Sequence, residues 1–384
     1  MKILQISYHT SPLANLGLND GGGLSTYVHE LCNAVSLNNS LIVITSENSK
    51  NKKSDLYEIN TYSPLAPDVG MQGKIDNLES FIQEFINSYT KEEIKQFDIM
   101  HAHYWLSGII AKRISNEFGI PFVYTSHSLG LFNQSQRSFK YRINKEREIM
   151  EEANRVTVSS NFEMNFISNN YNIPKSKMIK VLPGVNRDIF FPNKFKDMNE
   201  VKRIYCVGRI QEQKGQYLVL DFMKFLLELQ VNFHIYFVGE PSGEMGIQYL
   251  NKIKEAVNVN RLSDKTTFLG SLTQNSLAKK LRNADLLVHA SKYETFGLVI
   301  VEANACGIPA LTLNNGPMKE LISDGVNGFI SDDFTNNQLK IFINNIFYNK
   351  KESIEIKKSS FNKSKEYSWE KTGEKFVELY QTLI

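Results

Sequence analysis

The chain has 384 residues, of which 42% are hydrophobic and 22% are charged, and this ordinary globular composition excludes a wholly disordered protein. At roughly 100–200 residues per domain, the length predicts two domains. The 44 Lys and Arg residues exceed the 41 Asp and Glu residues by only three. This near balance argues against a nucleic-acid partner, because proteins that bind nucleic acids usually carry a clear excess of basic residues.

Cysteine usage and hydropathy predict a cytoplasmic protein. Cys32, Cys206 and Cys306 lie far apart in apolar stretches, which favours buried thiols over a zinc ribbon or a disulfide framework. No segment approaches the ~20 apolar residues that cross a bilayer, so no transmembrane segment is expected. The start, MKILQISYHT, is predicted as a strand and not as a signal peptide.

Short β-rich runs alternate with helical patterns along the first half of the chain. The predicted strands are Ile3–Ser7, Leu41–Thr45, Ile99–His103, Phe122–Ser126, Val156–Ser159 and Met178–Leu182. The helical stretches between them include Ser25–Leu37, Leu106–Phe118 and Asn161–Asn169.

The second half repeats this alternation. Its predicted strands are Arg203–Val207, His234–Val238, Thr267–Leu269, Leu286–His289 and Ala310–Leu313. Its predicted helices include Gln216–Leu229, Gln274–Arg282, Leu298–Cys306 and Pro317–Ser323. A final helical pattern, Trp369–Ile384, could dock on either domain.

This pattern predicts an α/β protein with two doubly wound parallel sheets, each covered by helices on both faces. The break falls near Pro183–Met198, where two prolines stand in a polar run without periodicity. We therefore expect domains over residues 1–190 and 200–364. Sites in such sheets lie at the carboxyl ends of the strands, so a cleft between two facing sheets is the expected substrate site.

A glycine run, Gly21-Gly22-Gly23, precedes a helix that begins near Leu24. Glycine lets the backbone approach a ligand closely, and the amino end of the helix favours an anion. The run matches neither GxGxxG nor a Walker motif, so a phosphate site and a flexible loop remain equally weighted alternatives.

Two cations, Arg209 and Lys214, follow the predicted strand RIYCV and precede a helix. An Arg fork and a Lys point charge at the carboxyl end of a strand suit a diphosphate. The alternative is a solvated basic loop.

A third motif, Glu294-Thr295-Phe296-Gly297, comes just after the predicted strand DLLVHAS. Gly297 would begin a helix whose free N–H groups point at a ligand. Glu302 lies within that helix among apolar neighbours, where a carboxylate needs a partner. A ribose diol would satisfy it, and a buried salt bridge is the commoner alternative.

Three of the seven histidines stand near predicted strand ends. His101 and His103 are two residues apart in a strand and should face the same side. No third ligand at recognisable spacing accompanies them, so a metal site is not expected. His127 follows the strand FVYTS and is placed to hydrogen-bond a substrate, with a structural histidine as the alternative.

These motifs together resemble one family. Glu294-x7-Glu302, within YETFGLVIVEANACGIP, resembles the signature of the retaining GT-B glycosyltransferases of family 4. GRIQEQKG is similar to that family's donor-diphosphate loop, and PGVNRDIFFP is similar to its interdomain linker. GGGLSTYVHEL, HAHYWLSG and TSHSLG most resemble the subgroup of inositol-phosphate N-acetylglucosaminyltransferases, sucrose-phosphate synthases and sucrose synthases. The resemblance implies a GT-B fold of two Rossmann-like domains, and we expect residues 365–384 to cross back to the first.

The resemblance also implies roles for individual residues. For the donor, Arg209 and Lys214 would hold the diphosphate, and Glu302 would bind the ribose. Glu294 would contact the transferred sugar, together with N–H groups near Phe296 and Gly297. Gly22 and Gly23 would line the diphosphate side of the cleft. His127 would face the reacting sugar, and the implied catalytic residues are His127, Arg209, Lys214 and Glu294. The implied acceptor residues are Tyr104, Ser128, Lys74 and Arg142.

Two positions depart from the family pattern. Ser25 stands where the inositol-phosphate enzymes carry Asn, and Glu240 replaces a more usual glycine before Pro241-Ser242-Gly243. Because of Ser25, the acceptor contacts at that position are not assigned. Because of Glu240, the contacts to the nucleotide base are not assigned.

The implied activity is transfer of GlcNAc or glucose from a UDP-sugar co-substrate to a small polyol, such as a cyclitol, an aminocyclitol or a sugar phosphate, with retention. No further cofactor and no metal are expected, since Arg, Lys and helix dipoles supply the positive field. A homodimer is left open. One alternative is a transferase for lipid-linked or cell-envelope glycans, using a basic cluster at Lys140, Arg142, Lys145 and Arg147 that Glu146 and Glu148 interrupt. The other is a non-catalytic nucleotide-sugar binder. A nicotinamide-dependent dehydrogenase is disfavoured because no GxGxxG follows a strand.

Overall fold

The computed structural model describes residues 1–14, 22–47, 54–66, 69–132, 138–193 and 199–384. These residues form two compact units. The N-terminal unit comprises the described residues up to 184 together with Trp369–Ile384, and the C-terminal unit comprises Val185–Ser368. The chain passes from one unit to the other within the segment Pro183–Met198, of which residues 194–198 lie outside the described part. Gly21 of the glycine run also lies outside it.

Seven parallel strands form the sheet of the N-terminal unit within its described residues, in the order β3-β2-β1-β4-β5-β6-β7. The strands are β1 (Lys2–Ile6), β2 (Ser40–Glu47), β3 (Glu58–Leu65), β4 (Ile99–His103), β5 (Phe122–Thr125), β6 (Arg155–Val158) and β7 (Met178–Lys180). The central strands are buried on both faces, as the near-continuous apolar runs predicted.

Helices cover this sheet, and the last one comes from the far end of the chain. They are α1 (Gly23–Ser36), α2 (Met71–Asp76), α3 (Leu78–Asn87), α4 (Lys91–Ile94), α5 (Tyr104–Phe118), α6 (Ser138–Glu152), α7 (Asn161–Tyr171) and, from the end of the chain, α15 (Trp369–Gln381). Helix α15 packs against α1: a Cβ atom at Gly373 would lie 2.7 Å from the Cβ atom of Ala34, so only glycine permits this approach. Its apolar side, with Trp369, Phe376 and Tyr380, joins the core of the N-terminal unit.

The C-terminal unit contains a second parallel sheet, whose six described strands follow the order β10-β9-β8-β11-β12-β13. The strands are β8 (Lys202–Val207), β9 (Phe233–Val238), β10 (Thr266–Phe268), β11 (Leu286–His289), β12 (Ala310–Leu313) and β13 (Gly328–Ser331). The helices are α8 (Val219–Glu228), α9 (Gly243–Val259), α10 (Gln274–Leu281), α11 (Leu298–Ala305), α12 (Met318–Leu321), α13 (Asn337–Tyr348) and α14 (Lys350–Ser364).

The sequence patterns did not predict two strands, and both lie at sheet edges. Strand β3 (EINTYSPL) contains Pro64 and is largely half-exposed, so it lacks the apolar signal of a central strand. Strand β13 has only four residues and begins with Gly328, whose Cβ atom would lie 2.2 Å from the carbonyl oxygen of Ala310. Elsewhere the predicted parallel sheets are confirmed.

The three cysteines are free and buried, as predicted. Burial raises the pKa of the Cys206 and Cys306 thiols to about 12, which keeps both protonated at neutral pH. Within the described part of the chain, every helix is too short or too polar to span a bilayer.

Candidate active site

The loop after strand β8 carries both predicted diphosphate ligands, Arg209 and Lys214. Gly215 ends this loop with a φ of 65°, and a Cβ atom there would lie 2.0 Å from the carbonyl oxygen of Ala290. Glycine therefore allows the loop to lie directly against the end of strand β11. Gln216 Nε2 donates to the carbonyl oxygen of Arg209 at 2.8 Å and holds the loop from its inner side.

Lys214 and Glu294 meet at the carboxyl ends of β8 and β11, which are neighbouring strands. Lys214 Nζ donates to Glu294 Oε2 at 2.7 Å, and His289 Nε2 lies 3.4 Å from the same oxygen. Burial by itself raises the pKa of Glu294, but the ammonium group and the imidazole outweigh it and hold this pKa well below its usual range. The carboxylate is therefore ionised at neutral pH beside a fixed cation. Arg209, on the same loop, is exposed to solvent.

Helix α11 begins beside this ion pair. Gly297 is its N-cap and has a φ of 107°, a backbone conformation that glycine tolerates. Its carbonyl oxygen accepts from Ile300 N. The amino end of a helix carries partial positive charge, which favours an anion at this position. Glu302 is half-buried further along this helix. The ring of Phe296 packs against that of Tyr367, with ring centres 5.7 Å apart. The side chain of Phe296 therefore supports the loop, and its backbone is the part that can contact a ligand.

The glycine run in the N-terminal unit leads into helix α1, as predicted. Gly22 is the N-cap of α1, and no side chain caps it. Gly23 is exposed at the first helical position, while Ser25 is buried and shares a hydrogen bond of 2.9 Å with Thr10 Oγ1. The described end of this loop thus presents backbone N–H groups at a helix amino terminus.

Arg142 contacts two of the other predicted acceptor residues, Tyr104 and Ser128. The guanidinium carbon of Arg142 lies 4.9 Å from the centre of the Tyr104 ring. Arg142 Nη2 donates to both the carbonyl oxygen and the hydroxyl of Ser128, each at 2.9 Å. Tyr104 has a φ of 75°, which an L-residue seldom adopts, and it stands at the junction of β4 and α5.

His9 links the fourth residue, Lys74, to this group. Lys74 Nζ donates to the carbonyl oxygen of His9 at 2.8 Å and lies 3.3 Å from its Nδ1. The ring of His9 in turn lies 4.9 Å from that of Tyr104, measured between centres. His9 is not among the site residues predicted from sequence, although it follows the carboxyl end of β1, where a site residue is expected. We call Lys74, His9, Tyr104, Ser128 and Arg142 the polar cluster.

Arg142 is held by a buried carboxylate and not by solvent. Arg142 Nε donates to Glu146 Oε1 at 2.6 Å, and Glu146 also accepts from Gly130 N at 2.9 Å and from the hydroxyl of Tyr171. Glu146 is fully buried. Helix α6 therefore turns one of its basic residues inward, and the predicted run from Lys140 to Arg147 is not a uniform basic surface.

His127 stands at the end of β5 with a φ of 56°. Its Nε2 lies 2.9 Å from Nδ1 of His103, and its ring centre lies 4.7 Å from that of Tyr27. Removal of the ring from water lowers the pKa of His127 to about 3, so the ring is neutral at physiological pH. His127 and Tyr104 follow neighbouring strands, and both have left-handed backbones, a form of strain that clusters at functional sites.

His101 and His103 face the same side of the sheet, as their spacing predicted, with ring centres 4.1 Å apart. His101 bonds Tyr380 and Thr125, and His103 bonds Gln5. Across the described ranges, no group of three or more His, Cys, Asp or Glu residues could hold a metal ion.

Two family models match the chain. "Glycosyl transferases group 1" matches residues 187–363, and "Glycosyltransferase Family 4" matches residues 21–189. Among curated proteins, the D-inositol 3-phosphate glycosyltransferase of Mycolicibacterium smegmatis is 26% identical over 405 residues, covering 99% of this chain and 90% of the relative.

Solved structures share the fold over the whole chain. The sucrose-phosphate synthase of Thermosynechococcus elongatus superposes with a TM-score of 0.87 at 23% identity, covering 100% of this chain and 98% of the other. Anabaena HepE in complex with UDP and glucose superposes with a TM-score of 0.79 at 17% identity, covering 99% of each chain.

Proposed function

The chain belongs to the family 4 glycosyltransferases of the GT-B fold, and from this premise we propose that it transfers a hexosyl unit, GlcNAc or glucose, from a UDP-sugar to a small polar acceptor with retention. The acceptor class is a cyclitol, an aminocyclitol or a sugar phosphate. The curated relative named a D-inositol 3-phosphate glycosyltransferase supports this acceptor class, and a solved neighbour in complex with UDP and glucose supports the donor.

The observation that carries the donor proposal is the ion pair between Lys214 and Glu294 beside the amino end of α11. A nucleoside diphosphate leaves with developing negative charge, which fixed cations and helix N–H groups stabilise. In the proposed complex Lys214 and Arg209 hold the diphosphate, Glu294 accepts from sugar hydroxyls and Glu302 accepts from the ribose. This field needs no metal, so chelation with EDTA should leave transfer unchanged.

The polar cluster supports a small, hydroxyl-rich acceptor that can carry a phosphate. Lys74 and Arg142 supply two cations, and Tyr104 and Ser128 supply hydroxyl groups among them. Arg offers a planar fork and Lys a compact point charge, the pair that commonly binds phosphate. A large lipid-linked acceptor would instead need an exposed apolar or basic surface, whereas the α6 basic run is partly turned inward at Arg142.

Retention is proposed through attack on the face that the leaving phosphate vacates, with that phosphate taking the acceptor's proton. Retention by two carboxylates requires one of them to be a nucleophile at the anomeric carbon. Glu294 is engaged by Lys214, and its pKa is held low, which suits hydrogen-bond acceptance and makes it a weaker nucleophile. Gly22, Gly23 and His127 are proposed to contact the diphosphate and the transferred sugar.

The test is a screen of UDP-GlcNAc and UDP-glucose against inositol phosphates, free cyclitols, aminocyclitols, sugar phosphates and a lipid-linked glycan. Mass spectrometry identifies the product, and the coupling constant of its anomeric proton reports retention or inversion. We expect an α-linked product of a small polyol together with UDP. Transfer only to the lipid-linked acceptor would refute the acceptor class, and tight UDP-sugar binding without transfer or hydrolysis would refute catalysis.

A further inference from the structure

A carboxylate stands next to the polar cluster, at the carboxyl ends of β1 and β2. Glu47 is the last residue of β2 and is half-buried. Thr10 comes after the end of β1 and directly follows His9, a member of the polar cluster. Strands β1 and β2 are neighbours, so their carboxyl ends meet at the edge of the sheet where a substrate is expected.

One oxygen of the Glu47 carboxylate is bound by the protein, and the other is open. Oε2 accepts from Ser11 N at 2.8 Å and from Thr10 Oγ1 at 3.2 Å. Within the described ranges of the chain, no group donates to Oε1. Because a carboxylate can only accept hydrogen bonds, this oxygen favours a ligand group that donates one.

The hydroxyl groups beside Glu47 have no proton to spare for a ligand. Thr10 has one hydroxyl proton, which goes to Glu47. Ser25 Oγ lies 2.9 Å from Thr10 Oγ1, so Ser25 must be the donor in that bond. The side chains of Glu47, Thr10 and Ser25 therefore offer a ligand accepting atoms and no donor.

The polar cluster has the opposite character, because it contains the cations Lys74 and Arg142. A substrate whose phosphate binds these two cations turns another part of its surface toward Glu47. A second anion there would be repelled by the carboxylate, whereas a hydroxyl or an ammonium group would donate to it.

We propose that Glu47 determines the specificity for the acceptor substrate by accepting a hydrogen bond from a hydroxyl or an ammonium group that lies away from the phosphate. The inference rests on the proposed function, in which the polar cluster holds the acceptor substrate. It narrows the acceptor substrate to a polyol phosphate or an amino-polyol phosphate. A substrate with a second anion at that end is excluded.

The test variant is Glu47→Gln, which has nearly the same shape. Its amide oxygen can take over the bonds from Ser11 and Thr10, so its amino group replaces the open oxygen and turns an accepting atom into a donor. A hydroxyl can adapt because it both donates and accepts, whereas an ammonium group can only donate. We expect the affinity to fall roughly 3- to 10-fold where a hydroxyl faces Glu47, and roughly 10- to 100-fold where an ammonium does.

Glu84→Gln is the matched control in the same unit. Glu84 Oε2 also accepts from a backbone N–H and from a hydroxyl, both of Ser63, the second at 2.8 Å. Glu84 is exposed on helix α3. We expect Glu84→Gln to bind every probe as tightly as wild type does. An equal loss of affinity in the two variants would overturn the proposal, because it would reflect a general effect on the unit.

Calorimetry on the full chain with UDP present measures the binding of four probes. Inositol 3-phosphate, glucose 6-phosphate and glucosamine 6-phosphate carry donor groups, and 6-phosphogluconate carries a second anion. We expect 6-phosphogluconate to bind wild type at least about tenfold more weakly than the tightest of the other three. Glucose 6-phosphate and glucosamine 6-phosphate differ in a hydroxyl against an ammonium group, so the tighter of the two identifies the donor.

Unchanged affinity of Glu47→Gln for the three donor-bearing probes would overturn the proposal, as would their failure to bind wild type. Tighter binding of 6-phosphogluconate to wild type would also overturn it. The proposed function is read separately from sugar transfer. Binding that depends on Glu47 without any transfer would refute the proposed function and leave the role of Glu47 standing.

Discussion

Lys214 and Glu294 form a hydrogen-bonded ion pair 2.7 Å long although 80 residues separate them in the chain. Their side chains are 25% and 15% exposed, so the pair is only partly screened by water. Strands β8 and β11 are adjacent, and this adjacency brings the two residues together. The pair places an ionised carboxylate beside a cation.

Replacing Lys214 with Met should lower stability in a pH-dependent way. The pair holds the folded pKa of Glu294 below its unfolded value of about 4.3, so its contribution is fully present above that pH and is lost as pH falls through the folded pKa. Near neutral pH we expect a loss of about 1–3 kcal/mol, measured by urea unfolding. The difference from wild type should begin to shrink below about pH 5 and should continue to shrink as the pH falls toward the folded pKa of Glu294.

Lys292→Met is the control for this comparison. Lys292 pairs with Glu212 at 3.6 Å in the same unit, but both side chains are well exposed, at 44% and 76%. Its removal should change the free energy of unfolding by less than about 0.5 kcal/mol at any pH. Equal losses in the two variants would contradict a special role for the Lys214 pair.

Glu302→Ala and Glu294→Gln should separate the ribose from the transferred sugar. Calorimetry should show that Glu302→Ala weakens UDP and UDP-sugar alike, by roughly 10- to 100-fold, the range for a hydrogen bond to a charged group. Glu294→Gln should weaken the UDP-sugar and leave UDP nearly unchanged. Glu228→Ala, at an exposed position of α8, serves as the control. Unchanged UDP affinity in Glu302→Ala would refute the ribose assignment.

Arg142→Lys should impair acceptor binding selectively. Lysine keeps the charge but loses the fork that joins Ser128 and Glu146, so the KM for the acceptor should rise roughly tenfold while donor hydrolysis is unchanged. Stability should fall by about 1–3 kcal/mol because buried Glu146 loses a partner. Arg113→Lys, whose partner Glu117 has the same i,i+4 spacing on an exposed surface, should be nearly neutral. An unchanged acceptor KM in folded Arg142→Lys would count against the polar cluster as the acceptor site.

Gly215→Ala should damage the donor loop far more than Gly243→Ala. The two glycines have nearly equal φ values of 65° and 63°, so alanine meets similar backbone strain at both, about 1–2 kcal/mol. At Gly243 a Cβ atom would meet nothing within 4 Å, whereas at Gly215 it would collide with the carbonyl oxygen of Ala290. We expect Gly215→Ala alone to weaken UDP binding, as measured by calorimetry. Equal affinities in the two variants would show that this loop does not hold the diphosphate.

Local patterns predicted the elements that position the site but not the partners within it. The apolar runs predict strands over Leu286–His289 and Ile99–His103, and both observed strands have these bounds. Helix α5 begins at Tyr104, two residues earlier than predicted, and the left-handed backbone of Tyr104 is a feature that no propensity anticipates. Edge strand β3 was not predicted because most of its side chains are only half-buried, so its sequence lacks a clear hydrophobic pattern.

Side-chain partners lie beyond local periodicity because they depend on which strands become neighbours. Gln5 and Tyr380 are 375 residues apart, and neither belongs to a motif that carries chemistry. For His127 the sequence left two alternatives, a substrate contact and a structural histidine. For His101 and His103, the buried hydrogen bonds indicate a structural role. His9 and His289 stand at strand ends, a signal that could have been used for both.

Helix α15 also determines when the N-terminal unit can finish folding. The core around Tyr27 and Ile3 is completed by Trp369, Phe376 and Tyr380, which leave the ribosome only after the whole C-terminal unit has been synthesised. Contacts of such large sequence separation form late, so the N-terminal unit must wait through translation with part of its apolar surface uncovered. A stop codon just before Trp369 would spare the C-terminal unit and yet leave the first-made unit unfinished, making it a substrate for chaperones and proteases.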